Sequence, residues 1–156
     1  MYHYTDGGLK NVWLANGYTI KNTPYGEAVA IHNLDGLTRA ICLALTEKEG
    51  VLSGTEFRYI RQAGMAVSQP VLGHMLGADA QSIARWEKTG KVPKWADKLV
   101  RLVFVAKALG NEPICRAIER ARTVERLVRQ KIVVQASNQG WTPDIQPADG
   151  CEEVAA

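Results

Sequence analysis

From Gly54 onward, apolar residues recur every three or four positions: Phe57 and Ile60, then Leu72 and Leu76, then Ile83 and Trp86, then Leu99, Leu102, Val103 and Ala106. That spacing predicts a succession of amphipathic helices. The first is expected over residues 55–63, with Phe57 and Ile60 inward and Arg58 and Arg61 outward. Ser68 caps a second, Ala80 starts a third, and Pro93 opens a fourth that runs to Gly110. A fifth begins at Asn111 and Pro113 and continues through "NEPICRAIERARTVERLVRQKIVV", with an apolar seam at Ile114, Ile118, Ala121, Val124 or Glu125, Val128 and Ile132. Its length and seam suit packing against the domain or against a second copy of itself.

The front of the chain follows another period. "VWLANGYTI" places Asn16-Gly17 between two β-prone runs and predicts a hairpin there, followed by a third run over residues 28–32. Asn33 or Asp35 then caps a helix whose apolar positions are Leu37, Ala40, Ile41, Ala44 and Leu45. The polar, glycine-bearing "TEKEGVLSGTE" reads as a linker. After Gly140 little remains to bury, and residues 140–156 are expected to be a disordered tail. The organisation predicted is a β-hairpin and helix module over residues 1–46, a helical domain over 54–136, and that tail: a mostly α chain with a small β-hairpin-containing N-terminal module.

With 156 residues, 46% hydrophobic and 22% charged, the chain has room for one ordinary domain or two small ones. No apolar run reaches the roughly 18 residues that span a bilayer, and "MYHYTDGG" has neither the basic start nor the apolar stretch of a signal peptide, so no membrane partner is expected. Cys42, Cys115 and Cys151 are widely separated and odd in number, which speaks against a disulfide framework or a zinc knuckle and for a reducing cytoplasm. The net charge of +3 hides an uneven distribution: residues 51–131 hold 15 basic and 7 acidic side chains, whereas 132–156 hold none and 4. A basic middle segment points to a polyanionic partner for that segment alone.

The stretch "SQPVLGHMLGADAQSIARWEKTGKVP" concentrates the strongest constraints. Leu72 and Leu76 face inward, Gly73 lets two helices touch, Gly77 takes the left-handed turn, and Ile83 and Trp86 return to the core. Helical geometry then turns Gln81, Ser82 and Arg85 away from the core as candidate base readers, since Gln suits adenine edges and Arg suits guanine. Gln69, Arg58, Arg61, Lys88, Lys91 and Lys94 are the candidate phosphate contacts. These residues closely resemble the Cro/repressor-like (XRE) helix-turn-helix over residues 54–110. The resemblance implies a five-helix DNA-binding fold. The front half looks like the N-terminal part of regulators related to the MqsA-type antitoxins, which implies a toxin protein as a further partner and Gln81 and Arg85 at the positions of that family's base-contacting Asn and Arg. That family's paired zinc cysteines are absent, since "YTDGG" stands where a knuckle would sit.

Catalytic signals are missing. His3, His32 and His74 are scattered, no Walker loop, nucleophile elbow or GxGxxG fingerprint is present, and neither a metal nor a cofactor is expected. Trp13, Tyr18 and Tyr25 read as the core of the β module in preference to a stacking platform for single strands. The expectation is therefore a non-enzymatic, sequence-specific regulator of double-stranded DNA. It would be cytoplasmic and nucleoid-associated, and a homodimer on a palindromic operator that represses, with an antitoxin as the alternative.

Overall fold

The computed structural model describes residues 1–121, 124 and 129–147, and the chain divides into two compact units, Met1–Ile118 and Glu119–Ala156. It is mostly α with small two-stranded antiparallel sheets.

In the first unit, β1 (Tyr2–His3) pairs with β2 (Trp13–Leu14), and β3 (Tyr18–Thr23) pairs with β4 (Gly26–Ile31). The hairpin predicted at Asn16-Gly17 is therefore displaced: that dipeptide turns a corner between two sheets, and Pro24-Tyr25 closes the ladder instead. The reason is competition for partners. "VWL" and "YTI" offer only three residues each, whereas "TPYG" closes a six-residue register in which the Thr23 hydroxyl donates to the Gly26 carbonyl (2.7 Å) and accepts from the Tyr25 amide (3.3 Å).

Asn33 caps α1 (Leu34–Glu47), its side chain accepting from the Gly36 amide as the sequence led us to expect. Ser53 and Glu56 form a reciprocal capping box at the start of α2 (Gly54–Tyr59), which continues into a single π turn over Ile60–Gly64. There follow α3 (Gln69–Leu76), α4 (Ala80–Thr89), α5 (Lys94–Ala108) and α6 (Glu112–Ala121). Leu72, Ile83, Phe57, Ile60 and Val100 are fully buried at the centre. Tyr4, Leu9 and Leu14 of the β module and Ile41, Cys42 and Leu45 of α1 belong to the same cluster. The module read from the sequence over residues 1–46 and the part of the domain read over 54–136 that lies in this unit share one hydrophobic core, and the supposed linker contributes the buried Leu52 to it.

The second unit departs most from the sequence reading. The expected fifth helix is described over Glu112–Ala121, and Ile132, placed on its seam by the sequence reading, lies instead in β5 (Gln130–Ser137), which pairs with β6 (Gly140–Pro147). Three consecutive β-branched residues, Ile132, Val133 and Val134, are stiff at χ1 and favour a pleated strand over a helix. The Ser137 hydroxyl then closes the turn by donating to the Gly140 carbonyl (3.1 Å). Residues 140–147, expected to be disordered, are the second strand of this hairpin. The seam positions Glu125 and Val128 and the tail beyond residue 147 lie outside the described residues.

Candidate nucleic-acid interface

Three residues, Gly77, Ala78 and Asp79, connect α3 to α4. Ser68 caps α3 by accepting from the Val71 amide, and Gln69-Pro70 fill the first turn, where a missing N–H costs nothing. Gly77 ends the helix at φ 78°, a left-handed conformation that L side chains adopt only with strain. Gly73 has another role, because a Cβ there would lie 2.5 Å from the carbonyl oxygen of Ala78. The turn can fold back onto α3 only over a residue without a side chain. Asp79 then caps α4, its carboxylate accepting from the Ser82 amide at 2.7 Å.

Ile83 and Trp86 anchor α4 in the core, and Trp86 meets the rings of Phe57 and Trp95 edge to face. The opposite side of the helix carries Gln81 and Arg85, both exposed, with Ser82 half-buried between them. Arg85 leans over the Ser82 hydroxyl at 3.5 Å. Hydrogen bonds from the Ser82 hydroxyl and amide, reinforced by the Arg85 charge, hold the Asp79 carboxyl below its usual value. Lys88, Lys91 and Lys94 are exposed around the C-terminal end of α4 and the start of α5. Arg58 is exposed too, with its Nε donating to Gln62 at 3.2 Å. The structure thus gathers Gln81, Ser82 and Arg85 on one helix face and leaves Arg58, Lys88, Lys91 and Lys94 open to solvent.

Two of the expected phosphate contacts are spent internally. Arg61, placed outward by the sequence reading, is buried; its guanidinium forks onto Glu87, with Nη2 to Oε2 at 3.2 Å, and its Nη1 donates to the Val67 carbonyl at 2.9 Å. The correction has a simple origin, since Arg61 lies four residues beyond the buried Phe57 and shares its side of the helix. Gln69 is half-buried and donates to the same Glu87 carboxylate at 2.9 Å. Glu87 therefore ties together the π turn, α3 and α4. No sequence signal marks it, because its partner Arg61 is 26 residues away. Asp79, which the sequence reading did not name, carries a recognisable signal, being a standard capping residue directly before Ala80.

A second ion pair joins the buried Glu56 to Lys48, whose side chain is 36% exposed. Burial raises the pKa of Glu56, but hydrogen bonds from Lys48 and the Ser53 amide, with the Lys48 charge, outweigh it and hold the carboxyl below its usual value. Of the three aromatics expected in the core of the β module, Trp13 is exposed and stacked on His3 at 4.1 Å, Tyr25 is fully exposed at the hairpin tip, and Tyr18, half-buried, packs inward beside Tyr2; the buried aromatic of the module is Tyr4. His3 bonds the Lys10 carbonyl, and His32 bonds the Thr19 hydroxyl. Among the described residues no three His, Cys, Asp or Glu side chains come together as a metal site would require, and no helix is long and apolar enough to cross a membrane.

No protein-family model, curated protein or solved structure matches the chain.

Proposed function

We propose that the chain is a sequence-specific DNA-binding regulator whose α2 to α6 form a helix-turn-helix domain of the Cro/repressor-like kind, and that it acts as a dimer on a palindromic operator to repress transcription. The observation that carries this reading is the α3-turn-α4 unit. Glycine at both the crossing and the turn fixes the pair, and the face of α4 opposite Ile83 and Trp86 is left exposed with Gln81 and Arg85 on it. In such a unit the second helix enters the major groove, where Gln meets adenine N6 and N7 and Arg meets guanine O6 and N7. Lys88, Lys91, Lys94 and Arg58 set the register against phosphates, and the free cations of this segment supply the salt-dependent part of the affinity. Arg61 and Gln69, committed to Glu87, have no place in that contact set. The partner is double-stranded DNA in the nucleoid, and the action is binding, with neither cofactor nor catalysis.

Selection of bound fragments from a random DNA pool supplies the operator, after which two variants separate the two kinds of contact. Arg85→Ala is expected to weaken the operator about tenfold or more per half-site while leaving random DNA nearly untouched, because a bidentate base contact is worth about 1–3 kcal/mol. Lys91→Ala is expected to weaken both alike and to lower the salt slope by about one. If Arg85→Ala binds its best operator as tightly and selectively as the parent, α4 is not the reader.

A further inference from the structure

We propose that the β5–β6 hairpin is the surface through which two copies of this chain pair, apolar face against apolar face; the proposal rests on the dimeric DNA-binding reading above. The register puts Ile132 opposite Ile145, Val134 opposite Pro143 and Ala136 opposite Trp141, so one face of the hairpin carries three successive apolar pairs, with Gln130 and Pro147 at its open end. The other face carries Lys131, Gln135, Thr142, Asp144 and Gln146 around a half-buried Val133. The apolar face is uncovered: Ile132 is 69% exposed, Val134 55%, Trp141 74% and Ile145 60%.

An isolated two-stranded hairpin is marginal in water and gains stability by burying one face. This one has no core of its own, for none of the described residues beyond Ile118 is buried. The face carries no charge, so it offers nothing to a phosphate backbone or an anionic lipid headgroup, both of which call for cations at the contact. A second copy matches it in every property. The face is self-complementary under a two-fold axis, Trp141 supplies the large anchor that such interfaces use, and two sheets stack at about 10 Å with their inner side chains interdigitated. The four exposed side chains present about 500 Å² per copy, or about 1,000 Å² for the pair, which is the lower limit for a specific interface. A palindromic operator demands that same two-fold symmetry.

The test uses the full chain in sedimentation equilibrium at tens of micromolar. The parent is expected at twice the monomer mass. Val134→Asp and Val134→Lys, each placing a charge at the middle of the face, are expected to be monomers with the dissociation constant raised at least a hundredfold and the thermal midpoint of the first unit unchanged. Mixed together, the two are expected to pair again, which a merely misfolded hairpin would not do. Ile118→Asp on α6 is expected to remain dimeric. A monomeric parent, dimeric Val134 variants, a mixture that stays monomeric, or dissociation by Ile118→Asp overturns the proposal. Half-site binding by the Val134→Asp monomer keeps the two readings apart: a preference abolished by Arg85→Ala upholds the reader whatever the pairing does, and a hairpin dimer without DNA preference refutes only the reader.

Discussion

Replacing Glu87 by alanine would strip a buried guanidinium of its counter-ion. The Arg61 side chain is 10% exposed, and two of its three hydrogen-bonding nitrogens are satisfied by Glu87, which also holds Gln69. What remains is one bond to the Val67 carbonyl and a charge that water can barely reach. Breaking such a pair from one side costs about 3–5 kcal/mol, a large share of the ~5–15 kcal/mol that holds a small domain together. The double variant Arg61→Met/Glu87→Leu removes both charges and keeps the volume, so it is expected to lie within about 2 kcal/mol of the parent. Urea unfolding followed by tryptophan fluorescence measures both, since Trp86 lies in the core one residue from Glu87. A Glu87→Ala cost below about 1 kcal/mol, or a double variant as unstable as the sum of its parts, refutes the argument. The same substitutions bear on the DNA contacts: Arg61→Met is expected to leave the salt slope of binding unchanged, whereas a true phosphate contact would lower it by about one.

Gly73→Ala is expected to cost about 1–3 kcal/mol in urea unfolding, because its new methyl meets the backbone oxygen of Ala78 at 2.5 Å and no flexible side chain can give way. Gly77→Ala meets open space, so its cost is backbone strain alone, about 1–2 kcal/mol; equal tolerance of both substitutions would show that the turn is not built as described. Stability is also expected to fall in acid through Glu56. Its carboxyl titrates lower in the folded chain than in the unfolded one, so its contribution is complete above the ordinary glutamate value of about 4.3 and is lost as the pH drops through the folded value. The gap in unfolding free energy between the parent and Glu56→Gln is therefore expected to narrow as the pH falls below the ordinary glutamate value of about 4.3, and a gap independent of pH would sink the assignment.

Where the chain was legible, the signal was local and redundant. Ser68, Gly73, Gly77, Ile83 and Trp86 each exclude alternatives at a fixed spacing, and two buried anchors three residues apart leave α4 no freedom in which side it turns outward. The exposure of Gln81 and Arg85 follows from that phase. Where the chain was not legible, the outcome depended on a competition between distant segments. Asn16-Gly17 and Pro24-Tyr25 are both good turns, and only the length of ladder each could close decided between them. The sequence from residue 112 to 132 keeps a helical seam throughout, but the β-branched run Ile132 to Val134 finds its partners in Pro143 to Ile145, in a segment whose composition alone looked unstructured. Arg61 shows the same effect in a single side chain. Its charge argued for solvent and its four-residue spacing from Phe57 argued for the core; burial won because Glu87, 26 residues away, brought a carboxylate to meet it. A cation in a basic segment is therefore a candidate for DNA only where the fold leaves its charge unspent. Applied to the predicted set, that criterion keeps Arg58, Lys88, Lys91 and Lys94, all exposed and none paired with a carboxylate among the described residues, and removes Arg61.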